Sequence, residues 1–377
     1  MKKNADVVII GGGLAGLTCA IHLSKMKLQV VLIEKNEFPK HKVCGEYISN
    51  EVKLYLDWLD LNIQDLNPTT ISKLEFSAIN GRTIGCDLPL GGFGISRYSL
   101  DYYLYQKAIE NGCEIIHDTV EDVGFQDDLF TISTLDRKKI AAKITIGAFG
   151  KRSNFDIKLE REFIQKKAPW LAVKAHYKGD FADDLVGLYN FKGGYCGVSK
   201  VENDIINVCY LVNYDSFKKH KSIDNFQTNV ICKNPHLKRL FKNSTLLFDK
   251  SLTISQISFE RKTAIQNHIL MIGDSAGLIQ PLCGNGMAMA IHSAKIASEL
   301  ILDFGSNKIK TRQEFEKQYI KLWNHNFNKR LRIGRFLATL LQNKNKSAFV
   351  MWLLIQFPFL LPKIIKATHG KPITVNY

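Results

Sequence analysis

The chain has 377 residues, 45% of them hydrophobic and 23% charged, with a net charge of +15. That composition excludes a disordered or collagen-like chain, and the length suits two interleaved domains around a large core. Eight scattered cysteines with no CxxC pair exclude a zinc ribbon or a disulfide scaffold and point to a reducing compartment.

Residues 5–34 read as strand, glycine turn, helix, strand and acid. The β-branched run Val7-Val8-Ile9-Ile10 ends in Gly11-Gly12-Gly13-Leu14-Ala15-Gly16, an apolar helix pattern follows, and Gln29–Ile33 ends in Glu34 and Lys35. Gly11 permits a tight turn, Gly13 lets a pyrophosphate approach the backbone, and Gly16 lets the helix pack on the strand. The helix N-terminus then offers N–H groups to the phosphates, and Glu34 would accept from an adenosine ribose. The first strand starts within a few residues of Met1, so no signal peptide is expected ahead of it.

The loop Asn36–Glu46 carries Cys44 and Gly45, and Ser49 is expected to cap a helix over residues 50–59. Two β-runs, 71–78 and 82–88, are expected to form a hairpin, with Gly91-Gly92-Phe93-Gly94 as a glycine-rich turn. A helix is expected from Ser99 to Glu110, ended by Asn111-Gly112. Strands follow near 114–117, 119–125, 130–135 and 140–147. Residues 168–260 alternate as strands at 170–177, 184–191, 195–199 and 205–213, then break into short helical patterns at 214–220, 225–232 and 236–241.

A second glycine-rich stretch sits at 268–298: an apolar strand, Gly273-Asp274-Ser275-Ala276-Gly277, then Cys283-Gly284-Asn285-Gly286-Met287 and an apolar helix pattern through Leu300. Asp274 would meet a ribityl hydroxyl or a ribose; the alternative is a helix N-cap. The helix N-terminus near Gly286 would stabilise the anionic edge of a reduced flavin. A basic helix is expected from Thr311 into Leu341. The apolar run 347–361 follows, flanked by Lys344, Lys346, Lys363 and Lys366. It is too short to span a bilayer and reads as cover for the core or cavity, or else as an interfacial segment that admits a lipophilic substrate.

The two glycine motifs together resemble the FAD-dependent oxidoreductases of the para-hydroxybenzoate hydroxylase fold. Pro39–Glu46, with its Cys44-Gly45, is similar to the geranylgeranyl reductase branch, and Ser96-Arg97-Tyr98-Ser99-Leu100-Asp101 to the family's Arg-x-x-x-Asp helix start. The resemblance implies FAD held by Gly11, Gly13, Ala15, Gly16, Glu34, Lys35, Arg97, Val120, Asp274, Gly284, Gly286 and Met287, with Cys44, Gly45 and Tyr195 at the reacting face. Phe149 stands where the family has Asp in its Gly-Ala-Asp-Gly turn, which puts reduction by bound NAD(P)H in doubt and leaves an external donor open. Gly197, Ser199 and Lys200 replace the family's Trp, Phe and Pro beside Tyr195. The substrate wall is then wider, and the Trp-x-Trp-x-Ile-Pro version usual in halogenases is absent.

The expected fold is α/β (α+β). A Rossmann-like FAD-binding domain (1–70, 96–167 and 261–305) is interleaved with an antiparallel-sheet substrate domain (71–95 and 168–260), and C-terminal helices occupy 306–377. The expected function is hydride transfer between flavin and a C=C bond of a prenyl-like substrate. The alternatives are hydroxylation of an aromatic or polyketide-like ring and a non-catalytic flavin-binding redox sensor. Expected partners are a small lipophilic or aromatic substrate and a membrane surface touched by the C-terminal segment, with the protein cytoplasmic or peripheral at the membrane. No metal site is expected. Nucleic acid is not expected either, because no basic run is interleaved with stacking aromatics.

Overall fold

The computed structural model describes residues 3–342 and 344–375, with the side chains of Lys3 and residues 341–348, and so of Lys344 and Lys346, outside that description. Two sheets organise the chain. In the first, the strand Lys3–Ile10 lies between Val30–Glu34 and Lys139–Gly147, parallel to both, with Val7 opposite Val30 and Ile144. Glu114–His117 extends this sheet on one side and Ile269–Met271 on the other, with Ile265–Gln266 at its edge. Val7 to Ile10 and Val30 to Ile33 are buried without alternation, as parallel strands covered on both faces must be. The helix Leu14–Lys25 is buried along almost its whole length. It packs against the helices Arg97–Glu110 and Gly286–Gly305, which explains why its sequence is apolar all round rather than striped.

The second sheet runs in the order Thr245–Leu246, Trp170–Lys178, Ile205–Asn213, Gly194–Val201, Leu185–Phe191, Thr69–Ser77, Thr83–Gly94 and Tyr47–Ser49. Leu252–Ile257 also pairs with Trp170–Lys178. All pairings are antiparallel except Leu185–Phe191 with Thr69–Ser77. The stretch 1–70 thus lends Tyr47–Ser49 to this sheet. The expected glycine-rich turn at 91–94 is instead the end of the strand Thr83–Gly94. A Cβ at Gly92 would fall 2.6 Å from the Ile48 carbonyl oxygen, and one at Gly94 would overlap the Lys200 carbonyl. These glycines permit close backbone approach within a strand, which local sequence cannot distinguish from a turn.

The long helix Arg312–Gln342 buries Phe315, Tyr319, Trp323, Phe327 and Leu331, a row at four-residue spacing, against the first domain. Tyr319 Oη donates to the Met271 carbonyl at 2.6 Å. The helices Lys344–Gln356 and Leu360–Thr368 follow, sharply bent at 114°. Met351, Leu354, Leu361 and Ile365 pack on Ile71, Leu74, Phe76 and Leu88 of the second sheet. Among the described residues no single helix is long and apolar enough to cross a membrane.

Candidate active site

The first glycine turn shows three glycines under three different constraints. Gly11 has φ +110°, and a Cβ there would lie 2.5 Å from the Ala148 carbonyl oxygen. A Cβ at Gly16 would overlap the Gly11 carbonyl, so Gly16 seats the helix on the strand. A Cβ at Gly13 would meet only Arg97 Nη2, 3.9 Å away. Gly13 therefore faces open space with a cation on its far side. It is the N-cap of the helix and supplies no side-chain cap. The first intrahelical bond runs from the Leu17 N–H to the Gly13 carbonyl, so the N–H groups of Leu14, Ala15 and Gly16 remain available at the positive end of the helix.

Charge at this turn is arranged around Asp101. Arg97 donates to it through Nε and Nη2, both at 2.7 Å, and Lys42 Nζ lies 2.9 Å away. Burial alone would raise the Asp101 pKa, but Arg97 and Lys42 together hold it below the usual carboxylate range. Two cations on one carboxylate leave a net positive charge beside a free helix N-terminus, which suits a pyrophosphate. Glu34 sits at the same turn and accepts from the Gly12 N–H at 2.7 Å and from both nitrogens of Asn36. Lys35 is exposed at the strand end. Val120 is half-buried against the first core, two residues after Asp118, whose N–H bonds the Glu34 carbonyl.

The second glycine stretch comes back to the same face. Asp274 sits in the tight turn Gly273–Ser275. Its carbonyl accepts from Lys262 Nζ at 2.8 Å, while its carboxylate has no hydrogen bond among the described residues and caps no helix. Gly284 has φ +63° and turns the chain into the helix Gly286–Gly305. Asn285 precedes that helix without capping it, because its side chain donates to Glu51 (3.0 Å) and accepts from Arg330 (3.2 Å). The first backbone bond is Met289 N–H to the Asn285 carbonyl, so Gly286, Met287 and Ala288 present unpaired N–H groups. Phe149 turns inward between Gly147 and Phe155 and brings no polar group to this face.

The loop before Tyr47 is held from below. Glu46 is fully buried, and its carboxylate accepts from Lys174 Nζ (2.6 Å), His176 Nε2 (2.7 Å) and the Arg97 N–H (2.7 Å). Burial would raise the Glu46 pKa, but the bond from His176 and the charge of Lys174 bring it below the ordinary value. His41 stacks on Tyr98 and meets His176 edge-on. Burial, reinforced by Lys174, pulls the His41 pKa down to about 4. The Cys44 carbonyl accepts from Asn207. Cys44 and Cys283 are both free thiols.

A large apolar cavity opens beside this loop, with an empty volume of about 1170 Å³ that reaches solvent. Gly45, Tyr195 and Pro281–Gly284 line one end; Leu74, Phe76, Val186 and Leu188 line a side; Val350, Leu354, Leu361 and Ile365 of the C-terminal helices close another. Gly45 leaves open space where a side chain would stand. The Tyr195 hydroxyl is buried beside the Leu282 backbone with no well-formed hydrogen bond, and burial drives its pKa far up. Gly197 and Ser199 face the cavity, while Lys200 is drawn off by Asp183 and Asp204.

The family described as FAD dependent oxidoreductase matches residues 6–44, the segment that carries the first glycine turn and Glu34. The match covers about a tenth of the chain and falls on this cradle. The chain is an FAD-dependent oxidoreductase. It is 26% identical to a digeranylgeranylglycerophospholipid reductase of Methanosarcina acetivorans, over 86% of this chain and 81% of that protein. It is 23% identical to a 1H-pyrrole-2-carbonyl-[peptidyl-carrier protein] brominase of Pseudoalteromonas luteoviolacea, over 79% of this chain and 77% of that protein. Among solved structures, the flavin-dependent brominase Bmp2 superposes with a TM-score of 0.80 at 20% identity, covering 99% of this oxidoreductase and 95% of the brominase. Reductases and halogenases are thus both relatives of this flavoprotein, and the structural likeness shows the fold that they share.

Four groups around the candidate site were given no role by the sequence reading: Lys42 and Glu46, which lie within the Pro39–Glu46 motif, and Lys174 and His176, which carry no local signature. Lys174 and His176 stand 128 and 130 residues from Glu46, so only the folded chain reveals the cluster. The hint in the sequence was the strand pattern at Trp170–Lys178, which puts Lys174 and His176, two residues apart, on one face of a strand that is buried on both.

Proposed function

We propose that the protein reduces a C=C bond of a lipophilic, prenyl-like substrate. The observation that carries this reading is the cavity: Gly45, Gly284 and the C-terminal helices all line it, and among the described residues no Asp, Glu, Lys or Arg does. Such walls suit a long hydrocarbon and give no purchase to a polar one. The likeness to a digeranylgeranylglycerophospholipid reductase supports the same class of substrate.

Bound FAD would supply the two-electron, hydride-transferring chemistry. The N–H groups of Leu14 to Gly16, with Arg97 and Lys42, would hold its pyrophosphate, Glu34 its ribose and Asp274 its ribityl chain. The N–H groups of Gly286 and Met287 would favour the negative charge of the reduced state. Tyr195 keeps its proton because burial raises its pKa, and it would supply the proton that completes saturation. Phe149 leaves the neighbouring turn without a carboxylate, which favours an external electron donor over a nicotinamide bound beside the ring.

A second reading is halogenation or hydroxylation of an aromatic ring. The brominase likeness and the open wall at Gly197 favour it. Dithionite-reduced holoprotein incubated without oxygen with polyprenyl phospholipids separates these readings. Mass spectrometry is expected to show lipid that has gained hydrogen, and less of it with Tyr195→Phe. Oxygen-dependent modification of phenols or pyrroles, with no hydrogenated lipid, would overturn the reading.

A further inference from the structure

We infer that the C-terminal helix pair docks on the surface of an anionic phospholipid bilayer. The inference deepens the proposed reaction, on which it rests for the route of the substrate. The helices Lys344–Gln356 and Leu360–Thr368 are two-sided. Their inner side, with Leu354 and Leu361, walls the cavity. Their outer side carries exposed aromatics that pack on one another: Phe349 (61% exposed) stacks on Trp352 (54%), and Phe357 (44%) meets Phe359 (56%) edge-on. Exposed apolar residues scattered singly need no explanation, but four large aromatics within eleven residues form a patch.

Charge selects the occupant. After Glu316 the chain carries eleven Lys and Arg residues and no Asp or Glu, so this last sixth of the sequence supplies most of the net +15. Lys363 and Lys366 are exposed on the second helix of the pair, and Lys363 Nζ lies 4.9 Å from the centre of the Phe359 ring. Aromatics at the tip with lysines beside them are the composition of a segment that lies in the headgroup region, its rings at the acyl boundary and its cations on anionic lipid. Neither helix of the pair is by itself long and apolar enough to cross a bilayer, and the two are bent by 114°, a shape that suits lying along the surface. The same two helices that touch lipid on one side bound the cavity on the other, which gives a hydrocarbon chain a path that avoids water.

The test uses the FAD-loaded full chain and vesicles of fully saturated lipid, so that binding is read apart from any reduction. Sedimentation is expected with vesicles rich in phosphatidylglycerol, weak with phosphatidylcholine alone, and weakened by salt. Lys363→Ala with Lys366→Ala is expected to lower affinity about fivefold per lysine removed. Brominated lipid is expected to quench tryptophan emission in the native protein and much less in Trp352→Phe, which should still bind and keep its flavin. Equal binding to neutral vesicles, no binding at all, or quenching unchanged by Trp352→Phe would each overturn the inference. So would self-association without vesicles that shields Trp352, since a second copy would then cover the patch. Failure here with hydrogenated lipid still formed would leave the reductase reading standing, and vesicle binding without hydrogenation would do the reverse.

Discussion

Gly13 and Gly16 stand three residues apart and answer to different forces. A Cβ at Gly16 would collide with the Gly11 backbone, whereas one at Gly13 would occupy open space in front of Arg97. Gly16→Val is therefore expected to destabilise the fold by about 1–3 kcal/mol or more through overpacking, with flavin lost as a consequence. Gly13→Ala is expected to leave the urea midpoint nearly unchanged and yet release flavin on gel filtration, because the new methyl stands where the phosphate approaches. The crowding at Gly16 and the open space at Gly13 were both legible from the spacing of the motif, since each follows from local geometry. Glu46 was not legible in this way. Its partners Lys174 and His176 arrive from a strand of the second sheet, and sequence offers only an acid after Cys44-Gly45. Glu46→Ala would leave Lys174 buried without its counter-charge, and a loss of about 3–5 kcal/mol is expected by chemical denaturation.

The strand Gly194–Val201 helps set the width of the cavity, which Tyr195, Gly197, Val198 and Ser199 line. A Cβ at Gly197 would lie 3.6 Å from the Cys209 carbonyl oxygen and 3.8 Å from Leu188 Cδ2, both ordinary van der Waals distances. A side chain can therefore enter the cavity there without moving the sheet. Gly197→Trp is expected to retain full flavin and stability while raising KM for long-chain substrates at least tenfold relative to short ones, read from initial rates against chain length. Strand alternation made this element legible, and so did the replacement of a bulky residue by glycine. The run at 91–94 misled because a strand crowded by neighbouring backbone and a turn both call for glycine. The C-terminal pair shows a third situation: its apolar composition was plain, but which side chains face the cavity depends on how the two helices bend against the sheet.

At the scale of the whole molecule, buried histidines link folding to pH, and burial lowers His369 as well as His22, His41 and His292. Burial is the main force lowering His22 to about 3, His292 to about 3 and His41 to about 4. The unfolded chain protonates these groups near pH 6.5. Between about pH 6.5 and 4 the unfolded state therefore binds more protons, and stability falls as pH falls. Unfolding near pH 5 is expected to take up close to three protons at His22, His41 and His292, measurable by calorimetry in buffers of different ionisation enthalpy, and His22→Gln should reduce the uptake by about one. Glu46 adds in the same direction, since a carboxylate held below its ordinary pKa loses its contribution as pH falls through the lowered value.

The central claim is that an FAD site and an apolar cavity meet at Gly45 and Gly284 to serve reduction of a hydrocarbon double bond. The most direct measurement is the visible spectrum of dithionite-reduced holoprotein, freed of excess reductant, mixed without oxygen with a dispersed polyprenyl lipid. The expected result is return of the oxidised flavin band in proportion to the lipid added, slowed in Gly197→Trp with a long chain. A spectrum that stays reduced under every such lipid, and returns only when oxygen is admitted with an aromatic acceptor, would contradict the account.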